Sequence, residues 1–246
     1  MVVQIDLSDP LKAFSIGCSS GLDTPCGSGW ISSQPSALFE ALGLEEGVHY
    51  EVVVTTFGGG GEPHAAAMGC RVLRQPPTIL LRPHASSQTA RNIQRSRCGA
   101  VNVASPEYIV EAALDLGVLA LSFGVGEAVE APVLCEAYAV VEFIAEDFTV
   151  DDVWLQVRCR PVALRYRLSA MRPYSRSSSL LVEAAVRLSR VEPFLSMGRR
   201  EEALRFLSEA RSLLESSARL AGGGSLASIV DAVRERLYSV ERRISP

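Results

Sequence analysis

The spacing of apolar residues along this chain divides it into a strand-rich middle and a helical end. From Glu51 the texture is β-like. It runs Glu-Val-Val-Val-Thr-Thr-Phe57, then four glycines at 58–61, then His64-Ala-Ala-Ala-Met-Gly-Cys-Arg-Val-Leu73. β-Branched runs separated by a glycine cluster predict a hairpin. Pro76-Pro77 turns the chain into a further strand over 78–81, and residues 99–104 supply another. Long β-rich runs follow at 133–144 and 153–168, and Pro161 predicts a bulge or a sheet edge in the second. Five or more such strands with little helix between them favour an antiparallel barrel over a doubly wound sheet.

Short helices punctuate this region. Ser36 can cap one over 36–42 that Gly43 ends, and Ser105-Pro106 opens another that Gly117 ends. After about residue 176 the period changes from 2 to 3.6. Leu181, Ala184, Leu188 and Val191 share one helical face; Ala203, Phe206, Leu207, Ala210, Leu213 and Leu214 form a second; Leu226, Val230, Val233, Leu237, Val240 and Ile244 form a third. Gly198 and the glycines at 222–224 separate them. The pattern predicts a three-helix unit with dimerisation as its further role, and Glu201–Arg205 and Glu215–Arg219 are i,i+4 pairs on its wet side. Residues 1 to about 35 are rich in Gly, Ser, Pro and Cys and are expected to form a loop or arm. The expected division is thus an arm with a short helix over 1–42, a barrel over 43–172 and a helical unit over 173–246.

Composition narrows the function. With 48% hydrophobic and 21% charged residues in 246, the chain can bury a sizeable core. A net charge of −4 argues against a general nucleic-acid binder, although a local basic patch can still hold one anion. The N-terminal sequence lacks a basic region followed by an apolar core, and the apolar run 116–123 is too short for a bilayer, so a soluble cytoplasmic protein is expected. Six cysteines, at 18, 26, 70, 98, 135 and 159, make no CxxC or metal-knuckle spacing. Buried free thiols and no metal site are expected, with Cys18 and Cys26 as a minor candidate pair.

The candidate chemistry lies in Pro83-His-Ala-Ser-Ser-Gln-Thr-Ala-Arg-Asn-Ile93, where a strand ends and a short helix begins. A helix N-terminus leaves backbone N–H groups unpaired and carries partial positive charge, so it favours a phosphate. Ser86, Ser87 and Thr89 add hydroxyls, Gln88 and Asn92 add amides, and Arg82, Arg91 and Arg95 add charge. The competing interpretation is a plain N-cap on a surface helix. GxxxxGK[ST] is absent, because the one lysine is Lys12, and Gly124-Val-Gly126-Glu-Ala-Val129 departs from GxGxxG and predicts a loop. His64 and His84 can donate to a ligand or move a proton, but neither has an orienting carboxylate in the sequence, which favours structural roles.

Taken together, Tyr50-Glu-Val-Val-Val-Thr-Thr56, Pro63-His-Ala-Ala-Ala-Met-Gly69, Ser87-Gln-Thr-Ala-Arg-Asn92 and Ala100-Val-Asn-Val103 resemble the family known as domain of unknown function 447. Pro173-Tyr-Ser-Arg176 with Leu181-Val-Glu-Ala-Ala-Val-Arg-Leu-Ser-Arg190 resembles its first tail helix, so the likeness covers about 43–245. Two departures stand out: Ser175-Arg176 replaces an Asn-Arg pair, and Ala66-Ala67 replaces an Ala-Pro. The resemblance implies an α+β, mainly β fold: an FMN-binding split barrel of the flavin-reductase type with a helical tail, a homodimer in most members with flavin at the subunit interface. It implies phosphate contacts from Ser87, Thr89 and Asn92, with Ser86 and Gln88. Thr55 and Thr56 would lie on the adjoining strand, and the backbone of Ala67, Met68 and Gly69 would run along the flavin ring. The expected activity is hydride or electron transfer between a reduced donor and an unknown small-molecule acceptor. The alternatives are a flavin carrier or sensor without turnover, or a barrel holding a deazaflavin or pyridoxal phosphate.

Overall fold

The computed structural model describes residues 26, 29–46, 48–167, 176–221 and 225–244. Strands are β1 (Trp30–Ser33), β2 (Tyr50–Phe57), β3 (Pro63–Leu73), β4 (Thr78–Leu81), β5 (Cys98–Val103), β6 (Phe123–Val125), β7 (Pro132–Leu134), β8 (Ala139–Asp151) and β9 (Trp154–Arg167). Helices are α1 (Leu38–Leu42), α2 (Gln88–Ser96), α3 (Pro106–Leu114), α4 (Arg176–Ser196), α5 (Arg200–Leu220) and α6 (Ser225–Ile244).

The main sheet runs β1-β9-β4-β3-β2-β5-β8, and β8 pairs back onto β9. Six antiparallel strands thereby close a barrel, with β1 as an extra strand on β9 and β6–β7 as a separate hairpin. This is the antiparallel barrel expected from the strand pattern and the split-barrel architecture that the resemblance implies, with three C-terminal helices. Alternation along β2 explains the closure. Val52 and Val54 point into the barrel core with Cys70, Ile79, Leu81 and Phe143, whereas Val53 joins an outer layer with Ala100, Val133 and Val140. Strand β2 is covered on both faces, so its apolar run is unbroken instead of alternating. Near Pro161 the β8–β9 register shifts between Glu142 and Phe143, which is the bulge that proline signals.

Helix α3 belongs to two layers. Ile109 packs on the barrel's outer layer, while Val110 and Leu114 join the core of α4, α5 and α6. Leu181, Ala184, Leu188 and Val191 of α4 meet Ala203, Leu207, Ala210 and Leu214 of α5 and Val230, Val233, Leu237 and Val240 of α6. On the wet side the partners differ from the expected Glu201 and Glu215: Arg205 reaches Glu209, also at i,i+4, at 3.9 Å, and Arg219 donates to Ser216 Oγ at 2.9 Å. Among the described residues no helix is long and apolar enough to cross a membrane.

Three expectations change at the N-terminal end. Trp30–Ser33 is a strand, because β9 offers it a ladder edge and Arg167 stacks at 4.2 Å over the Trp30 ring. Ser36 is not a cap; it lies within a 3-10 turn, Pro35–Ala37, that leads into α1, while Gly43 does end that helix with φ 61°. Cys26 is not a free thiol but forms a disulfide with Cys135 across 109 positions, leaving Cys70, Cys98 and Cys159 free among the described residues. Such a pairing depends on β1 docking beside the β7–β8 connection, which spacing alone does not reveal. Cys18, Pro173, Tyr174, Ser175 and the glycines at 222–224 lie outside the described residues.

Candidate cofactor site

Helix α2 starts where it does because Ser87 is extended, with φ −69° and ψ 158°, and its hydroxyl accepts the Ala90 N–H at 3.1 Å. Upstream, the chain is pinned to the β8–β9 hairpin: Ala85 N–H donates to Val153 O at 2.8 Å, and Leu155 N–H to Pro83 O at 2.9 Å. The buried face of α2 combines packing and hydrogen bonding. Ala90 and Ile93 enter the barrel core. Asn92 Nδ2 donates to Thr56 Oγ1 at 3.0 Å, and Thr89 Oγ1 lies 3.1 Å from His64 Nε2. Since Thr56 and His64 face each other across β2 and β3, these bonds fasten one face of α2 to one hairpin.

The N-terminal turn of α2 presents the Gln88 and Thr89 N–H groups, which no helix can pair internally. Arg91 Nη1 donates to Ser86 O and Arg95 Nη2 to Phe57 O, each at 2.5 Å, and neither arginine has an ion-pair partner among the described residues. Their positive charge is therefore not cancelled at contact. Arg82, by contrast, is paired with Asp151 at 2.9 Å. His84 Nδ1 meets Ser86 Oγ at 2.9 Å, its ring sits edge-on to Trp154, and its buried Nε2 has no partner. Burial holds the His64 imidazole below its ordinary pKa, Arg91 pushes it the same way, and Glu62 opposes them. His64 is consequently neutral at neutral pH.

A cleft of about 610 Å³ opens beside this cluster. Its floor is Pro63, His64, Ala65 and Ala66 of β3, Gln88 stands at one end, and α3, β6, α4 and α6 form the opposite wall. Leu121, Phe123 and Leu188 make much of that wall apolar. Its buried carboxylate, Glu111, is already engaged by the N–H groups of Gly117, Val118 and Leu119 at 2.7 to 3.2 Å. A smaller cavity of about 100 Å³ lies under α1, lined by apolar side chains and Glu51.

The expected site residues fall into two groups. Ser86, Ser87, Gln88, Thr89, Asn92 and Thr56 gather at α2. Thr55 faces the other way, where its hydroxyl donates to Pro132 O at 2.5 Å and accepts from Asn102 Nδ2 at 2.9 Å, joining β2, β5 and β7. Met68 packs in the barrel core, Ala67 lies against the outer layer, and Gly69 sits opposite Glu51. At Gly69 an added Cβ would meet only Glu51 Oε2 at 3.8 Å, an ordinary contact, so close packing does not require glycine there. His64 joins the cluster, although its sequence context favoured a structural role; the hairpin register that sets it opposite Thr56 brings it to Thr89.

The loop at 124–129 wraps an anion from its own chain. Glu142 accepts the N–H groups of Glu127, Ala128 and Val129 at 2.7 to 3.0 Å and pairs with Arg165 at 3.2 Å. A Cβ at Gly126 would lie 2.6 Å from Val129 O and 2.7 Å from Glu142 Oε2, so here glycine is needed for close approach. Among the described residues no group of three or more His, Cys, Asp or Glu side chains is arranged to hold a metal ion.

A closed antiparallel barrel of six strands with an extra strand and three C-terminal helices is the split-barrel fold that FMN-binding proteins share. Residues 50–167 match the family described as Protein of unknown function (DUF447) N-terminal domain. The FMN-bound protein of this family from Methanosarcina mazei is similar over 80% of this chain and 99% of its own, with 22% identity and a TM-score of 0.61. Flavoredoxin of Desulfovibrio vulgaris (Miyazaki F) is similar over 50% of this chain and 72% of its own, with 19% identity and a TM-score of 0.44. At such identities the fold is what is shared. No curated protein matches the chain.

Proposed function

We propose that this chain binds FMN and acts as a flavin-reductase-like oxidoreductase, moving a hydride or electrons between a reduced donor and a small-molecule acceptor. The observation that carries the proposal is the α2 N-terminus, capped by Ser87, where Gln88 lines the 610 Å³ cleft and Thr89 meets His64 of its β3 floor. The donor set fits a phosphate: two unpaired backbone N–H groups, hydroxyls on either side of them, and the uncancelled charge of Arg91. At the same end His84 meets Ser86 Oγ through Nδ1, while its buried Nε2 has no partner. The description of the Methanosarcina mazei relative as FMN-bound supports the choice among phosphorylated cofactors.

In this proposal Ser87, Thr89 and the first N–H groups of α2 bind the phosphate, with Ser86 and Gln88 beside them. Asn92 and Thr56 hold α2 at its angle to the hairpin. The β3 segment through Ala66 and Ala67 supports the flat ring system, while Leu121, Phe123 and Leu188 exclude water from the facing space. FMN supplies the redox chemistry, and the protein supplies placement and electrostatics. Two copies are expected to pair, as in most split barrels of this type.

The test is titration of the purified protein with FMN and riboflavin, followed by flavin fluorescence, with NADH and NADPH then added as donors. Tight FMN binding, much weaker riboflavin binding and steady donor-dependent turnover are expected. FMN binding without turnover for either donor would favour a carrier. Preference for pyridoxal phosphate or a deazaflavin would retain the phosphate site and change the cofactor.

A further inference from the structure

Among the described residues two hydrogen bonds between side chains join α2 to the β2–β3 hairpin, and they differ in what lies beyond them. The bond between Asn92 and Thr56 connects two side chains that are both buried. The bond between Thr89 and His64 connects a buried hydroxyl to an imidazole that lines the cleft. A threonine hydroxyl has one proton and two lone pairs, and a neutral imidazole has one N–H and one bare nitrogen. If the Thr89 proton points at His64 Nε2, only lone pairs are left to face an anion, and they repel it. If Nε2 carries the hydrogen, Thr89 Oγ1 accepts it and keeps its own proton to donate.

We propose that His64 is a positioning residue for the anion: it holds its hydrogen on Nε2, donates it to Thr89 Oγ1, and so turns the Thr89 hydroxyl proton toward the ligand's phosphate. The inference rests on the phosphate site proposed above and adds a residue outside the hydroxyl and amide set. It also makes FMN affinity depend on pH. Acidification adds the second proton at Nδ1, which leaves the Nε2 donor in place and puts a positive charge next to the anion. Arg91 of α2 resists that protonation and Glu62 of the β2–β3 turn favours it. The other charged groups along the cleft are Glu111, engaged by backbone N–H groups, Asp115, and Glu192 with Arg236 and Arg243. The phosphate itself loses charge near pH 6 and weakens binding there, so wild type must be compared with His64→Gln. Glutamine retains a donor near the Nε2 position without the titration.

The experiment measures FMN and riboflavin dissociation constants for wild type, His64→Ala and His64→Gln from pH 5.5 to 8. At pH 8, His64→Ala is expected to weaken FMN about tenfold and to leave riboflavin unchanged, with most of the loss restored in His64→Gln. As the pH falls toward the acid end of this range, wild type should gain affinity relative to His64→Gln. Equal losses for FMN and riboflavin would reduce His64 to a structural fastener, and unchanged FMN affinity in His64→Ala would overturn the proposal. A second measurement needs no variant and no flavin: the ¹⁵N shifts of His64 at pH 8 in the flavin-free protein. The Nε2–H form is expected, and the Nδ1–H form overturns the inference. Absence of FMN binding in wild type would instead refute the cofactor proposal.

Discussion

Replacing Glu51 by Gln should stabilise this protein in alkaline but not in acidic solution. Glu51 begins the outward face of β2, beside the small apolar cavity under α1 and near Arg190 and Glu183 of α4. Burial pushes its carboxyl up from the ordinary 4.5 to about 7; Arg190 lowers it and Glu183 raises it further. The folded pKa lies above the unfolded one, so the native state binds the extra proton more tightly. No penalty exists below pH 4.5, it grows through the interval up to 7, and it is complete above that. The displacement corresponds to about 3 kcal/mol at about 1.4 kcal/mol per pH unit. Glutamine preserves the shape and removes the charge. Urea unfolding followed by circular dichroism should therefore give nearly equal stabilities at pH 4.5, and a mutant more stable by up to about 3 kcal/mol at pH 8.5. A mutant less stable at pH 8.5 would refute the reasoning, because it would mean that a charged Glu51 is favourably paired with Arg190.

Three further outcomes follow from the geometry. Changing Ser87 and Thr89 together to alanine should weaken FMN binding by about 3 kcal/mol or more with little effect on riboflavin, since hydrogen bonds to a charged group are worth about 1.5 to 3 kcal/mol each; unchanged FMN affinity in the folded double mutant would misplace the phosphate. Reducing the Cys26–Cys135 disulfide, or changing Cys26 to Ser, removes a cross-link spanning 109 positions and should cost about 4 to 5 kcal/mol on the chain-entropy scale; identical thermal unfolding with and without reductant would count against that bond. Changing Glu142 to Ala leaves three backbone N–H groups without their anion and Arg165 with Glu127 alone, and should cost about 3 to 5 kcal/mol, which a chemical denaturation midpoint will show. A midpoint within error of wild type would show that water replaces the carboxylate.

Period and punctuation were enough to determine the elements that form regardless of their neighbours. The unbroken valines of β2, the glycine turn, Pro161 at its bulge, Ser105-Pro106 at the start of α3 and the 3.6-residue stripes of α4 to α6 could all be located from spacing, because each reflects a local backbone preference or a single buried face. The Ser87 cap was legible for the same reason. What the tertiary structure alone decided are relations between distant residues. Thr55 and Thr56 are adjacent, yet the strand pleat sends one to the β5–β7 layer and the other to α2. Neighbouring hydroxyls in sequence therefore do not share a site. Cys26 finds Cys135 only because β1 docks on β9, and His64 reaches Thr89 only because the hairpin register places it across from Thr56. The wall that α3, α4 and α6 raise over β3 has no trace in any one segment, because a cleft is the space left when separately patterned faces pack together.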